Sequence, residues 1–407
     1  MKWIGRTTMA LTILVAAVFA QEKTSPSTFQ DELAFLRNHV KVIVLSDKSG
    51  NRKVAVIPEY QCRVMTSTAA GDDGLSYGWV NRELIASGKK EPHINVYGGE
   101  DRFWIGPEGG QYSVFFKKGD PFDLDHWFTP SDIDTEPYEV VSKGDDHVTC
   151  RRKIHLANYS GSTFDLEVNR EIRLLDMKDV EKYFGVMPKA GVMMVGFESV
   201  NSIKNTGKNA WKKQSGLLSI WILGMLNASP ATTVAIPFQK GPESKLGLVV
   251  NDAYFGKVPA DRLVIKDDIL YFAADAQYRS KIGMPPHRTK PILGSYDAVN
   301  HELTLVQFSF KEGVTDYVNS MWEIQKNPYG GDVVNSYNDG PPKPGAAQLG
   351  RFYELENSSP ALALAPNQSA THVSRMIHLQ GPEGELDAIA RAALGVGLDE
   401  IKNGLKK

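Results

Sequence analysis

The segment Tyr97–Tyr112, YGGEDRFWIGPEGGQY, concentrates charged and aromatic side chains between glycines. A tight turn requires the glycines, which adopt backbone conformations closed to other residues, but it does not require the other side chains. Those side chains are Glu100, Asp101, Arg102, Trp104 and Glu108. Carboxylates, a guanidinium and an indole can together hydrogen-bond a ligand and stack on it. We therefore expect this segment to form a loop that binds a substrate.

Two later segments have a similar composition, and a further one, residues 120–138, contains His126 and Trp127. Residues 272–297 and 318–341 mix aromatic rings with charged and amide side chains among glycines and prolines. Their candidate binding residues are Arg279, Lys281 and Arg288 in the first segment, and Asn335, Tyr337, Asn338 and Asp339 in the second. Aromatic rings can lie on the C–H faces of a sugar, and these polar groups can hydrogen-bond its hydroxyls. The recurrence predicts a sugar or glycan ligand, although any one tryptophan here could instead be a half-buried core residue.

Two carboxylates, Glu354 and Glu356, lie two positions apart in the run RFYELENSS. A strand would place both side chains on one face, with Leu355 pointing the other way. Because like charges on one face repel, we expect either one carboxyl with a raised pKa, suited to proton transfer, or a cationic partner opposite. The alternative is a solvated strand face. The pair is therefore a candidate for acid–base chemistry.

Other chemistries lack their motifs. The sequence has no H-E-x-x-H, no G-x-S-x-G and no P-loop, and its glycine-rich segment does not open a helix in a βαβ unit. No cofactor is therefore expected. The acidic residues 123–137 offer oxygens that calcium could bind, but they lack an ordered ligand spacing, so no metal is expected either. A formal net charge of -2 without a basic stripe argues against a nucleic-acid partner.

A scaffold of strands must position these residues. From residue 41 to residue 380, more than a dozen β-branched or aromatic runs, many alternating apolar with polar residues, are separated by Gly, Pro, Asn and Asp. Helical spacing is confined to the two ends, and no repeat of fixed period is evident. Strands in this number, without helices between them, predict an all-β fold of antiparallel sheets packed as a sandwich.

The 407-residue chain divides into four parts. Residues 1–20 combine a basic start, an apolar run and a small-residue site, which predicts a secretory signal peptide cleaved after Ala20; the alternative is an uncleaved membrane anchor. Residues 21–45 form an N-terminal helical segment, 46–380 the sandwich and 381–407 a C-terminal helix. We expect the mature chain to be secreted or periplasmic, without a membrane span.

The chain contains two cysteines, Cys62 and Cys150, both in strand-like runs. In an oxidising compartment they could form one disulfide, but two cysteines do not make a framework. Whether they pair stays open at the level of sequence.

Three stretches resemble the aldose 1-epimerase (galactose mutarotase) relatives: Lys53–Asn81, Ile203–Met225 and Tyr353–Ser369. The first has a Pro-Glu-x-x-x-Arg strand before a small-residue run, the second an N-T-G…W hairpin, and the third a late glutamate followed by a proline-containing loop. The resemblance runs from about residue 41 to residue 379 and is strongest for an uncharacterised family of secreted bacterial mutarotase-like proteins. It implies a β-supersandwich with a sugar site on its concave face.

The resemblance also implies roles for individual residues. In mutarotases a histidine is the general acid and a glutamate the general base; Arg102 matches their substrate arginine, and Glu356 or Glu354 matches the base. The family's His-Pro-Tyr-Phe motif is missing here, where SIWILGM stands. Either His126 or His287 therefore takes the acid role, or the chain binds a sugar without catalysis.

Overall fold

The fold is described by a computed structural model of residues 27–343 and 345–406. The predicted signal peptide at residues 1–20 lies outside these residues. Within them the chain forms 18 strands. They are β1 (Ile43–Ser46), β2 (Lys53–Ile57), β3 (Arg63–Thr68), β4 (Arg102–Gly106), β5 (Glu139–Lys143), β6 (His147–Ala157), β7 (Thr163–Leu174), β8 (Met193–Asn205), β9 (Ser219–Asn227), β10 (Thr232–Pro237), β11 (Leu263–Lys266), β12 (Ile269–Ala273), β13 (Ser280–Met284), β14 (Ile292–Asp297), β15 (Glu302–Phe308), β16 (Val334–Asn338), β17 (Phe352–Ser358) and β18 (Ser369–Gln380).

The helices of the described residues are few and short. They are α1 (Phe29–Arg37), α2 (Arg82–Ser87), α3 (Met177–Phe184), α4 (Glu243–Leu246), α5 (Glu383–Leu394) and α6 (Leu398–Asn403), with 3-10 turns at Pro58–Tyr60 and Ser131–Ile133. The predicted all-β class with short terminal helices is thus confirmed.

The strands form three sheets whose paired strands run antiparallel. The small sheet has the order β1-β2-β3, the large sheet β11-β12-β10-β14-β15-β18-β8-β7-β6-β5, and the five-stranded sheet β13-β16-β17-β9-β4. Long-range pairing dominates; for example, β4 pairs with β9 and β13 with β16. The five-stranded sheet therefore collects strands from most of the length of the chain.

The five-stranded and large sheets pack face to face through alternate residues of each strand. On β17, Tyr353 hydrogen-bonds Ser295 of β14 (2.7 Å), and Asn357 donates to Ser374 of β18 (3.0 Å). Leu355 lies between them in the same buried core. Since successive residues of a strand point to opposite faces, the intervening residues of β17 must face away from the large sheet.

The large sheet is also covered on its outer face. Val306 and Phe308 of β15 belong to the core between the sheets, whereas Leu303 and Leu305 pack in a second apolar cluster with α5. This explains why strands such as β15 carry apolar residues on both faces rather than alternating with polar ones.

The two ends of the chain fold differently in detail. Thr28 and Asp31 form a reciprocal capping box that begins α1. At the other end, where the sequence suggested one helix, α5 ends at Gly395 and α6 begins after Gly397. Gly395 has a left-handed backbone conformation (φ 77°), which ends a helix and which glycine adopts without strain.

Cys62 and Cys150 form a disulfide. Cys62 immediately precedes β3 of the small sheet, and Cys150 lies on β6 of the large sheet. The bond therefore ties two sheets together across 88 residues of sequence.

Candidate functional site

One face of the five-stranded sheet carries several of the residues singled out from the sequence. The register pairs Trp104 with Trp221, and it pairs Glu354 with Met225 on one side and Tyr337 on the other. Directly paired residues share a face. The residues on this face are Arg102, Trp104, Trp221, Leu223, Met225, Glu354, Glu356, Asn335, Tyr337 and Lys281.

Loops turn this face into a cleft of about 350 Å³. That volume falls in the range of small-molecule sites, roughly 300–1,000 Å³. Tryptophans form much of the wall, and the lining includes Trp104, Trp127, Trp221, Trp322, Tyr254, Phe255, Tyr337, Arg102, Arg279, Lys281, Glu108 and Glu354. The opening segment and the second of the later segments, more than 200 residues apart, meet in this cleft.

Arg102 and Glu354 form a buried ion pair in the cleft. The guanidinium Nη2 donates to Oε1 of Glu354 at 2.9 Å, and the guanidinium carbon lies 4.3 Å from the centre of the Trp104 ring. Burial raises the pKa of Glu354 to about 8; Arg102 opposes this rise, whereas the neighbouring Glu356 adds to it. Glu354 therefore holds a proton more readily than an ordinary carboxyl, and its protonated form can donate that proton.

Glu356 lies deeper than Glu354 and has different partners. Its Oε2 accepts hydrogen bonds from Lys281 Nζ (3.0 Å) and from Trp221 Nε1 (2.9 Å). The other carboxylate oxygen, Oε1, is buried without a hydrogen-bond partner among the described residues. The two glutamates thus share a face, as the sequence predicted, but each has its own cation.

Glu108 is a third acid in the cleft. Burial raises its pKa, which the nearby Lys281 opposes and Glu356 reinforces. Arg279, by contrast, lies with its guanidinium carbon 4.2 Å from the centre of the exposed Phe255 ring. The cleft therefore combines groups that donate hydrogen bonds, groups that accept them, and apolar walls.

The tryptophans differ in accessibility. Trp104 is 3% exposed and contacts Trp221 edge-on at 5.4 Å between ring centres, with Arg102 over its face. Trp322 is only partly buried and stacks on Trp127 at 5.8 Å. The open aromatic wall is thus that of Trp322, rather than that of Trp104, for which the sequence suggested a stacking role.

Other predicted binding residues lie behind the cleft. Glu100 accepts from Ser67 (2.8 Å) and contacts the buried His378 (3.2 Å), while Asp101 accepts from Ser199 (2.7 Å) and pairs with Arg170. Both acids are essentially inaccessible to solvent. They hold the opening segment against the other two sheets.

The remaining amide and acid positions also make internal contacts. Asn335 donates to the carbonyl of Ile282 (3.1 Å), and Asn338 accepts from the backbone of Ala276 (2.8 Å). Asp339 accepts from Tyr337 at 2.7 Å. These contacts fix the strands at the cleft's edge.

Arg288 and the two candidate histidines lie outside the lining of the cleft. Arg288 donates to the carbonyls of Gln239 (3.1 Å), Gly241 (3.0 Å) and Gly247 (2.6 Å), and so organises a loop. His126 is partly buried and pairs with Asp123 at 2.6 Å, and His287 is exposed. No histidine lines the cleft among the residues that the structure describes.

The sequence reasoning missed the segment that contains the lining residues Tyr254 and Phe255. Tyr254 donates to Asp332 at 2.6 Å, and its neighbour Phe255 supports Arg279. Burial raises the pKa of Asp332 to about 6. A Cβ at Gly283 would overlap the Asp332 carboxylate, so glycine is required for this close approach. The run NDAYFG, residues 251–256, places two aromatic residues among Asn, Asp and Gly. The same mixture predicted the binding segments elsewhere in the sequence.

The described residues contain neither a metal-binding cluster nor a helix suited to cross a membrane. Across residues 27–343 and 345–406, no three His, Cys, Asp or Glu side chains are grouped so as to hold a metal ion. In the same ranges, none of the helices has the length and apolarity needed to cross a bilayer.

Comparison with known families gives one match. A model described as a family of unknown function (DUF6786) matches residues 27–405. No curated protein sequence matches the chain. The sequence-based expectation of an uncharacterised family is thus confirmed.

Among solved structures, the chain is similar to the Slr1438 protein from Synechocystis sp. PCC 6803, with 13% identity, 83% of this chain and 96% of that chain covered, and a TM-score of 0.48. It is also similar to a galactose mutarotase-like protein from Lactobacillus casei ATCC 334 (11% identity, 84% and 100% covered, TM-score 0.45). A galactose mutarotase related enzyme from Lactobacillus acidophilus has 10% identity, with 83% and 97% covered and a TM-score of 0.45.

Proposed function

The chain belongs to the DUF6786 family of unknown function, and we propose that it binds a sugar or glycan in the cleft of its five-stranded sheet. The observation that carries this proposal is the shared sheet face, where Arg102, Glu354, Glu356 and Lys281 lie beneath tryptophan walls. A sugar presents hydroxyls in a ring plane and C–H groups above and below it. This cleft offers partners to both.

The polar groups suit hydroxyls because they include both donors and acceptors. Arg102 and Lys281 donate, Glu356 Oε1 has no partner in the described residues, and Glu354 can do either when protonated. The partly buried Trp322 provides an aromatic face on which C–H groups can lie. A purely apolar ligand would leave these buried polar atoms without partners, at a cost in affinity.

Acid–base chemistry on the bound sugar is a second candidate function. It is favoured by the neighbouring carboxyls, because Glu354, with a pKa raised to about 8, stands beside Glu356, which pairs with a lysine. Two carboxyls in different environments are a common basis for separate acid and base roles. In this reading Glu354 donates a proton and Glu356 accepts one, without a histidine. The alternative is a binding protein without turnover.

We also propose that the chain acts outside the cytoplasm. The basic, apolar and small-residue pattern of residues 1–20 supports this, and so does the disulfide between Cys62 and Cys150, since disulfides persist in oxidising compartments. Detection of the chain with its N-terminus at Gln21 in the periplasm or medium of an expressing host would test this part of the proposal.

The test of sugar binding is a glycan array followed by calorimetry with the mature chain. We expect at least one glycan to bind, and Trp322→Ala to weaken that binding by about ten-fold or more, since an aromatic contact and its buried area are lost. Tyr183→Ala is the matched control, because Tyr183 packs on the outer face of the large sheet. If Trp322→Ala leaves the binding unchanged, the proposal that the ligand lies in this cleft is contradicted.

The test of chemistry uses the same ligand. Anomer interconversion of each bound free sugar is followed by NMR exchange for the wild type, Glu354→Gln and Glu356→Gln. An acid–base role predicts a loss of roughly a hundred-fold or more in rate for both variants while binding persists. If the wild type binds a free sugar without accelerating its interconversion, the catalytic role is contradicted and only the binding function remains.

A further inference from the structure

The cleft contains three cationic side chains, and two of them have carboxylate partners. Arg102 pairs with Glu354 at 2.9 Å and Lys281 with Glu356 at 3.0 Å. Arg279 forms no ion pair within 4.0 Å and no side-chain hydrogen bond with any residue that the structure describes, and its Nε is buried without a partner. Arg279 is therefore the cation of the cleft that remains available to bind a ligand.

The guanidinium of Arg279 is nevertheless held in place. It packs against the Phe255 ring at 4.2 Å, and Phe255 in turn meets Tyr337 edge-on at 5.9 Å between ring centres. The Arg279 backbone directly precedes β13 and packs against Gly340. A guanidinium supported on an aromatic face loses little freedom when it binds a ligand, so it is prepared for an anion.

Asp339, an acid on this edge of the sheet on which Arg279 acts, is already engaged. Asp339 accepts from the Tyr337 hydroxyl through Oδ1 (2.7 Å) and from the Gly350 backbone through Oδ2 (2.8 Å). Its carboxylate is thus directed at these two donors. Arg279 acts on Asp339 only at longer range.

The other carboxyl groups of the cleft, including that of the exposed Glu323, do not pair with Arg279 either. Glu354 and Glu356 face their own cations, and Glu108 lies near Lys281 and Arg102 rather than near Arg279. A neutral sugar would bury the Arg279 guanidinium against hydroxyls alone. A carboxylate or sulfate group would instead offer two acceptor oxygens, which can both accept hydrogen bonds from the planar guanidinium.

We infer that the ligand of the cleft is an acidic sugar or glycan, whose carboxylate or sulfate group is bound by Arg279. This inference rests on the proposed carbohydrate function and narrows it to a substrate class. Arg279 stands at the edge strand β13, whereas Trp104 stands on β4 at the opposite edge of the sheet. The acidic group therefore lies at the β13 end of the bound ligand.

The experiment compares matched ligands that differ in one charged group. Oligogalacturonate is measured against its methyl ester, and a sulfated glycan against its desulfated form, with inorganic sulfate and phosphate as further arms. We expect one acidic member to bind at least about ten-fold more tightly than its neutral partner, because a charge-assisted hydrogen bond is lost in the latter. The affinity should also fall with added salt.

Variants assign that preference to Arg279. Arg279→Gln should lower the affinity for the acidic ligand about ten- to a hundred-fold and lower that for its neutral partner much less, while Arg279→Lys should retain part of the preference. Arg151→Gln, on the exposed face of β6 and outside the cleft, is the matched control. Thermal unfolding of each variant separates loss of binding from loss of fold.

The contrary outcomes are distinguishable. Neutral and acidic partners that bind equally, with Arg279→Gln unchanged, overturn the acidic-ligand inference but leave the sugar-binding function standing. Inorganic sulfate or phosphate binding as tightly as the whole glycan overturns the inference of an acidic glycan. Binding of no glycan, acidic or neutral, overturns both the inference and the proposed function.

Discussion

Arg102 on β4 reaches across the intervening strand β9 to donate a 2.9 Å hydrogen bond to Glu354 on β17, 252 residues further along the chain. Both side chains are buried. The bond forms only when the five-stranded sheet has its native order and register. The arrangement of these cleft residues therefore depends on correct assembly of the whole sheet.

The raised pKa of Glu354 predicts a pH-dependent stability. In the folded chain burial raises the pKa of Glu354, whereas the unfolded carboxyl ionises near its ordinary value of 4.5. The folded state thus binds more protons at pH values above about 4.5, so the free energy of unfolding should fall as the pH rises above that value. Glu354→Gln should flatten this part of the profile, measured by urea unfolding at several pH values. An unaltered slope would contradict the assignment.

Asp101 is predicted to stabilise the fold rather than contact a ligand. Asp101→Asn leaves the buried Arg170 guanidinium without its counter-ion, and breaking a buried pair in this way costs roughly 3–5 kcal/mol. The free energy of unfolding should fall accordingly, while the ligand affinity of the remaining folded chain is retained. Asp123→Asn, at an exposed histidine pair, is the control and should leave stability unchanged.

The disulfide should contribute measurably to stability. Removing a native bond between Cys62 and Cys150, which closes a long segment, is expected to lower the free energy of unfolding by about 2–5 kcal/mol. Cys62→Ala and Cys150→Ala should give similar losses, and dithiothreitol should destabilise the wild type but neither variant. Equal sensitivity of all three proteins to the reductant would rule out the bond.

The two histidines that sequence reasoning offered as acids are predicted to be dispensable. Because both histidines lie outside the cleft lining, His126→Ala and His287→Ala should change neither ligand affinity nor any anomer interconversion by more than about two-fold. Calorimetry and NMR exchange on the ligand found for the wild type check this. A rate loss of a hundred-fold in either variant would restore a histidine to the mechanism.

The alternation of residues was enough to predict part of the site. Around Leu355 the pattern of one apolar residue between two acids already places Glu354 and Glu356 together, because strand geometry has a period of two. The shared composition of distant segments is likewise reflected in the structure, where Arg102 and Tyr337 line one cleft.

The sequence pattern could not predict where a side chain points when its residue lies just outside a regularly alternating strand. Glu100 and Asp101 directly precede β4, yet both turn toward the other sheets, where His378 and Arg170 receive them. Composition makes them look like binding residues, and only the three-dimensional position of their partners shows otherwise. Long-range ion pairs of this kind leave no local trace in a sequence.

Some elements described as loops from their glycine content are in fact strands. The middle of the opening segment is β4, and NSYN closes β16. Their backbone groups are paired by β9 and β17, which lie far away in sequence, so tertiary pairing overrides the local turn signals.

The two faces of β17 have a consequence for how this family can diversify. Odd-numbered positions such as Leu355 serve the core, while even-numbered positions such as Glu354 face the cleft. Point substitutions at the even positions can therefore retarget recognition over evolutionary time without disturbing the residues on which folding depends. An insertion or deletion of a single codon inside the strand exchanges the two sets and destroys both properties at once. Descendants of this gene should accordingly vary by replacement within these strands and by length change only in the loops between them.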